Sequence, residues 1–311
     1  MTLSHSTAVI VNPRSAGGRT ARAWAELRRQ VEAALGSVQV YETEAPGHAT
    51  ELARAALRQG SRRIIAVGGD GTINEIVNGF FEGDRLMAPD VLLGIVPQGS
   101  SSDFCRTLGI PLEVQPALEL IGRGAAKKID LLRVRFETLG GESRERYGVN
   151  ITSFGMGGAV AARAGRLTGW FGARLAFQVA TLATTVGFPG STVRLRLDEG
   201  EPRTLKITNI AAGNGQFHGG GMWACPRAAL DDGLLDITVI HYLSLFEIVR
   251  DLPVLYNGRI YEHPKVEFHR ATRLEASGEG SALIELDGEP VGRLPLEIAL
   301  LPRVLGVYVP A

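Results

Sequence analysis

The chain has 311 residues, 45% of them hydrophobic and 21% charged. This balance excludes a disordered or fibrous chain, and the length suits two domains better than one. Lys plus Arg (33) equals Asp plus Glu (33), so no basic excess exists to neutralise a nucleic-acid backbone, and nucleic acid is not expected as a partner. The first third alternates two periodicities. Ala8 to Val11 reads as a buried strand, and Thr20 to Leu35 as a helix with Trp24, Leu27, Val31 and Leu35 on one face. Val38 to Tyr41 (strand), Ala49 to Leu57 (helix), Ile64 to Val67 (strand), Thr72 to Phe80 (helix) and Val91 to Val96 (strand) continue the pattern. Such alternation predicts a mainly parallel sheet with ligands at the carboxyl ends of its strands.

After about Lys127 the texture changes. Leu131 to Phe136, Thr192 to Leu197, Leu205 to Ile210, Leu235 to Ile240 and Leu283 to Leu286 are strand-like runs separated by turns, so the second domain is expected to be β-rich. A helical insert is expected over Gly158 to Val186 and a short helix over Ser244 to Asp251. The expected division is residues 1–130 and 131–311, with a last strand at about 300–311 returning to the first domain. Leu175 to Val193 carries no charge, but Gln178, Thr181, Thr184, Thr185, Gly187, Pro189 and Gly190 make it too polar and broken for hydrocarbon. It is read as a buried helix ending near Gly187, not as a transmembrane span. Cys105 and Cys225 form no C-x-x-C pair, which suits buried thiols in a reducing compartment. The N-terminal Met1-Thr2-Leu3-Ser4-His5 has neither a basic nor a long apolar region, so a cytoplasmic location is expected.

Three strand ends carry the chemistry. Gly68-Gly69-Asp70-Gly71-Thr72-Ile73-Asn74-Glu75 places three glycines between a buried strand and a helix. Lacking Cβ atoms, such a turn brings backbone N–H groups and the positive end of the helix against a phosphate. Thr72 and Glu75 also fit a capping box, which is compatible with phosphate binding. Pro97-Gln98-Gly99-Ser100-Ser101-Ser102-Asp103-Phe104 leads into another helix, which its hydroxyls and Asp103 are able to cap; the same groups suit ribose or phosphate oxygens. Asn12-Pro13-Arg14-Ser15-Ala16-Gly17-Gly18 ends the first strand. In Leu286-Asp287-Gly288-Glu289-Pro290, Asp-Gly is a favourable hairpin turn, and a carboxylate there is also placed to act as a base. The six histidines show no zinc spacing.

Taken in order and spacing, these segments resemble the bacterial diacylglycerol and lipid kinase family, whose catalytic domain is related to sphingosine and ceramide kinases. The resemblance also rests on Gly219-Gly220-Gly221-Met222, Pro226 and Asp231-Asp232-Gly233-Leu234-Leu235-Asp236, and spans nearly the whole chain. It implies an N-terminal Rossmann-like α/β nucleotide-binding domain followed by a β-sandwich domain that helps form the acceptor site, with ATP held between them. By the same resemblance Asn12, Pro13, Arg14, Ser15, Ala16, Thr43, Gly68, Gly69, Asp70, Gly71, Thr72, Ile73, Asn74 and Ser100 match nucleotide-contacting positions. Asp287 and Glu289 match the acidic catalytic pair, one as base and the other orienting it or helping to hold magnesium. Ala229, Asp232 and Leu234 match a structural Mg2+ site, Asp232 through its carboxylate and the other two through carbonyls. One departure stands out: the family commonly reads Gly-Thr-x-Asn-Asp-Phe-Ala where this chain has Gly99-Ser100-Ser101-Ser102-Asp103-Phe104-Cys105, so a carboxamide is replaced by the Ser102 hydroxyl.

The expected activity is therefore transfer of the γ-phosphate of ATP to a lipid hydroxyl, diacylglycerol or a related lipid, with ATP and Mg2+ as cofactors. Phosphoryl transfer asks little covalent chemistry of a protein, but it needs the phosphate charge offset and the attacking hydroxyl's proton accepted. An NAD kinase-like enzyme shares the Gly-Gly-Asp-Gly-Thr loop, and a catalytically silent nucleotide-binding regulator is the reading from another class. A lipid acceptor places the protein at a membrane surface, peripheral at the inner face. Arg163, Arg166 and Arg174 around Trp170 and Phe171 offer cations and an apolar wedge for that contact, although arginines snorkelling from a core helix explain them equally. A homodimer is compatible with the sequence.

Overall fold

The computed structural model describes residues 6–171, 179–181, 183–278 and 282–310, the side chains of 165–171 excepted. The chain divides into two compact units, residues 1–129 with 303–311, and residues 130–302.

The first unit is α/β. Strand β1 (Thr7–Val11) is followed by α1 (Ser15–Leu35), β2 (Val38–Glu42), α2 (His48–Arg58), β3 (Arg63–Gly68) and α3 (Asp70–Gly79). A small hairpin (β4, Phe81–Glu82; β5, Arg85–Leu86) precedes β6 (Leu92–Pro97), α4 (Asp103–Leu108) and α5 (Val114–Arg123). Parallel pairing runs β2, β1, β3, β6, and the chain's last strand adds Gly306 and Val307 beside Leu92 and Leu93. The strands are continuous apolar runs because both faces are covered. Val9, Val11, Ile65, Val67 and Val96 share a core with Val31 of α1 and Leu118 and Ile121 of α5. Their neighbours of opposite parity, Ile10, Ile64 and Ala66, are equally buried.

The second unit is β-rich and antiparallel. Its elements are β7 (Ala126–Glu137), β8 (Ser143–Gly148), β9 (Ile151–Gly155), α6 (Met156–Phe171), β10 (Ser191–Leu197), β11 (Arg203–Gly213), β12 (Phe217–His218), β13 (Met222–Trp223) and β14 (Leu235–His241). A helix at Leu245–Asp251, then β15 (Val266–Ala271), β16 (Arg273–Gly278), β17 (Leu283–Leu286) and β18 (Glu289–Tyr308) complete the chain. Pairing runs β15, β14, β11, β10, β16, β18, with β9 bridging β11 and β17. Inward residues of these strands, including Leu132, Phe154, Ile210, Ile237, Leu274, Ile284 and Ile298, form one core. Outward residues form Arg–Glu ladders such as Arg135–Glu145 and Arg196–Glu275, which contribute little each because water screens them.

The helical insert begins at Met156. Arg163 reaches Thr184 at 3.4 Å, whereas Arg174 and the side chains of Arg166, Trp170 and Phe171 lie outside the described residues. The expectation of a buried helix ending near Gly187 holds only in part. Ala180, Thr181 and Thr185 are buried, but Val179 and Val186 are exposed, so the described part of this segment has two faces. Among the described residues no helix is long and apolar enough to cross a membrane.

Candidate active site

In the first unit the three strand-end loops meet at the carboxyl edge of the sheet. The Asn12 Nδ2 donates to Thr72 Oγ1 (3.0 Å), joining the loop after β1 to the helix after β3. The Asn12 Oδ1 accepts from the Arg14 N–H (2.9 Å). From there Ala16, Gly17 and Gly18 all take positive φ (51°, 67° and 80°), a left-handed turn in which the Gly18 N–H donates to the Arg14 carbonyl (3.1 Å). Ser15, within this turn, shares a hydroxyl contact of 2.6 Å with Thr20. Pro13 and Arg14 lie in the same loop, and Thr43 follows β2 with its N–H on the Val11 carbonyl (2.9 Å).

The glycines after β3 are required by close approach. A Cβ on Gly69 would lie 3.0 Å from Gly99 Cα, and one on Gly99 would lie 2.6 Å from Gly69 Cα. The two backbones touch, so side chains there would push the loops apart. Asp70 locks the same pair of loops: its carboxylate accepts from the N–H of Asp103 (3.1 Å) and of Phe104 (3.2 Å), at the start of α4. Glu75 does not close a capping box with Thr72. Its two oxygens accept from Gly47 N–H (2.8 Å) and Ala49 N–H (3.1 Å) at the start of α2, and α3 has no side-chain cap. Thr72, Ile73 and Asn74 are buried beneath the loop, while Gly71 and Ser100 lie nearer the surface. Ser102, where the resemblance leads one to expect Asn, takes the left-handed conformation (φ 53°, ψ 41°), which Asn tolerates better than Ser.

In the second unit, Asp287 and Gly288 occupy a β17–β18 turn with positive φ at both positions (49° and 91°), as a tight Asp-Gly hairpin requires. The Asp287 carboxylate does more than turn the chain. It accepts from the N–H groups of Val149 (2.8 Å), Asn150 (3.0 Å) and Ile151 (3.0 Å). Three donors fix its orientation. Glu289 is half-buried and pairs with Arg146 of β8 at 3.3 Å through both guanidinium NH groups. The two carboxylates are thus close in sequence but held by different partners.

Sequence reasoning missed a third acid. Glu285, buried on β17, accepts from Ser153 Oγ (2.7 Å) and from the Gly288 N–H, and His218 Nδ1 stands 3.6 Å away. An acidic residue within the apolar run Leu283-Ile284-Glu285-Leu286 was the available signal. His218 is buried in β12 and lines an apolar cavity of about 100 Å3 within this unit. Met156, Val160, Ala224, Ile240, Ile248 and Leu255 form much of its wall. The polar groups on that wall are occupied at home: Thr208 Oγ1 accepts from Leu243 N–H, Asn209 Oδ1 from Gly157 N–H, and Thr238 Oγ1 donates to Ala224 carbonyl. A chain from cavity wall to His218, Glu285 and the Gly288 N–H leads to the Asp287 turn.

The residues matching a structural metal site do not fit one as arranged. Asp232 Oδ1 accepts from its own Leu234 N–H (3.1 Å), and its other oxygen is held by Arg270. Arg270 Nε also donates to Asp236 (2.9 Å), and Asp130 takes the Gly233 N–H (2.8 Å). A guanidinium on the carboxylate repels a divalent ion, and the cation that holds Asp232 is Arg270. Burial raises the pKa of Asp236 and Arg270 opposes the shift. Among the described residues no cluster of three or more His, Cys, Asp or Glu is arranged for a metal.

An α/β unit with Gly-rich strand ends and a β-rich unit with an acidic hairpin define a class of two-domain kinases. Residues 6–134 match the diacylglycerol kinase catalytic domain and residues 150–309 the YegS C-terminal NAD kinase beta sandwich-like domain. A "Diacylglycerol kinase" of Staphylococcus carnosus is 27% identical over 308 residues, covering 97% of this chain and 94% of that one. A "Probable lipid kinase YegS-like" protein of Chromohalobacter salexigens is 33% identical over 273 residues, 85% of this chain and 81% of that one. The fold is shared with a diacylglycerol kinase structure from Bacillus anthracis (TM-score 0.72, 20% identity, 100% and 98% of the chains) and with yeast NADH kinase complexed with NADH (TM-score 0.56, 12% identity, 98% and 82%). The chain belongs to the diacylglycerol and lipid kinase family and is a phosphotransferase.

Proposed function

We propose that this enzyme transfers the γ-phosphoryl group of ATP to the hydroxyl of diacylglycerol or a related lipid. The observation that carries the reading is the apolar cavity of the second unit, joined through His218 and Glu285 to the turn bearing Asp287. A cavity whose wall is mainly apolar, with His218 on it, suits an acyl chain better than a soluble dinucleotide. ATP is assigned to the loops of the first unit: Asn12, Pro13, Arg14, Ser15, Ala16, Thr43, Gly68 to Asn74 and Ser100. The positive-φ turn at Ala16 to Gly18 and the touching Gly69 and Gly99 backbones support that assignment, since phosphate cradles are built from backbone N–H groups that side chains would obstruct.

In the transfer step the acceptor oxygen attacks the γ-phosphorus, the bond to the β-phosphate oxygen breaks, and ADP leaves. The hydroxyl proton passes to the acidic pair Asp287 and Glu289. Three N–H groups fix the orientation of Asp287, while Glu289 pairs with Arg146 and is more exposed. Magnesium enters this reading only as part of the nucleotide substrate, where it offsets phosphate charge when bound. The lipid acceptor also places the protein at a membrane surface. The test is a transfer assay with labelled ATP against dioctanoylglycerol, sphingosine, phosphatidylglycerol and NAD. Labelled phosphatidic acid is the expected product. Labelled NADP in its place establishes the NAD kinase reading, and no labelled product with ATP still bound establishes a silent regulator.

A further inference from the structure

Among the described residues seven large hydrophobic side chains stand well exposed, and three of them, Leu245, Phe246 and Val249, fall on the Leu245–Asp251 helix at 47%, 73% and 49%. At 100° per residue these three occupy one arc of the helix, and Ile248 and Asp251 occupy the opposite arc. Ile248 and Asp251 line the apolar cavity, and Leu252, Val254 and Leu255, which follow, line it too. One short helix is therefore the cavity's roof on its inner face and an apolar surface on its outer face.

The helix is built to hold that surface out. Ser244 and Glu247 form a complete capping box at its start, and Lys265 reaches Glu247 at 2.6 Å. Arg250 is bound to Asp251 (2.7 Å) and lies 5.9 Å from the Phe246 ring centre, while Arg259 is bound to Glu262 (2.5 Å). Arg250, Arg259 and Lys265 are thus each paired with a carboxylate, whereas Lys206 stands 4.4 Å from the Tyr242 ring centre. The exposed arc of Leu245, Phe246 and Val249 is suited to apolar insertion.

We propose that Leu245, Phe246 and Val249 form the surface by which this protein docks on a phospholipid bilayer, with the helix as the door between bilayer and cavity. The inference rests on the lipid-kinase reading for its occupant, because a two-chain acceptor resides in a bilayer and has to enter the cavity from one. Continuity between patch and cavity is what favours the bilayer over a second protein. Insertion driven by apolar area predicts weak dependence on salt and on anionic lipid content.

The test uses the full chain, with vesicles of phosphatidylcholine alone or with phosphatidylglycerol added, and two acceptors: dispersed dioctanoylglycerol and vesicle-borne long-chain diacylglycerol. The variants are Phe246→Glu with Val249→Glu, and the milder Leu245→Gln with Phe246→Gln. Expected results are vesicle co-sedimentation by the wild type at low and high salt, and a loss of roughly tenfold or more in both variants. Turnover of vesicle-borne acceptor should fall in parallel, with turnover of dispersed acceptor and the melting temperature kept. Vesicle binding retained by the variants overturns the proposal, as does a wild type that never binds vesicles, equal loss on both acceptors, or a wild-type dimer that the variants dissociate. If vesicle binding behaves as expected but no lipid is phosphorylated in any form, the docking surface stands and the kinase reading falls.

Discussion

The Asp70 carboxylate caps the helix that begins at Asp103, accepting the N–H of Asp103 at 3.1 Å and that of Phe104 at 3.2 Å. A residue expected to contact nucleotide thereby also holds the second and third strand-end loops together. Asp70→Ala should lower stability by about 1–2 kcal/mol, as loss of a helix cap does, and weaken ATP binding with it. Asp70→Asn, which keeps one acceptor oxygen, should recover part of the melting temperature. Thermal melts beside calorimetric ATP titration check this, and an unchanged melting temperature in Asp70→Ala contradicts the cap.

The acidic pair should separate in the same kind of experiment. In Asp287→Asn an amide NH2 replaces an oxygen that faces backbone N–H groups, so stability should fall by about 1–3 kcal/mol together with activity. Glu289→Gln disturbs only a part-exposed ion pair and should melt like the wild type. If it serves the reaction, its turnover should drop roughly 10²- to 10⁴-fold with ATP affinity kept. Full turnover in both variants would falsify the acid-pair mechanism.

Magnesium should not alter the melting temperature of the nucleotide-free protein, because Arg270 already occupies the Asp232 turn. Arg270→Met should cost about 3 kcal/mol, the low end for breaking a buried pair, since it strands the fully buried Asp236 while Arg270 itself is part exposed. A melting temperature that rises with magnesium in the wild type restores the metal site.

Acid should loosen the region around the docking helix. Glu247 is held down to about 2, chiefly by Lys265 with help from Ser244; Asp251 to about 2 by Arg250; and Glu267 to about 2 by Arg203 and His269. Folded values below the ordinary 4.5 and 3.8 mean that the unfolded chain binds protons first. The stabilisation is complete above those ordinary values and is lost as pH falls toward 2. These groups are largely solvent-screened, so the effect is modest. Lys265→Met should flatten the fall in melting temperature between about pH 4.5 and 2; an unchanged slope contradicts the pairing.

The first unit was legible because its strands are unbroken apolar runs such as Ile64-Ile65-Ala66-Val67, and because Gly-rich turns mark their ends. The second was legible only where one face is strongly apolar. Ser143 to Gly148 and Val266 to Ala271 form strands although their charged, mixed composition carries little periodicity; they are held by their neighbours, not by propensity. Site chemistry divided the same way. The Asp-Gly turn is a local signal and was visible. The partners of Asp287, the Ser153–Glu285–His218 cluster and the Arg270 bridge join residues far apart in sequence, and no local pattern encodes them. Thr72 and Glu75 are the converse case: their spacing is that of a capping box, yet tertiary contacts send Glu75 to a different helix.

The most direct measurement of the central claim is photolabelling with a diacylglycerol that carries a diazirine on one acyl chain and that the enzyme turns over. The account predicts that, on irradiation, crosslinks fall on the cavity segments Met156 to Val160, Met222 to Ala224 and Leu243 to Val266. It also predicts that they disappear when unlabelled dioctanoylglycerol competes. Competed crosslinks confined to the first unit, or to the outer face of the second unit's charged ladders, would contradict it.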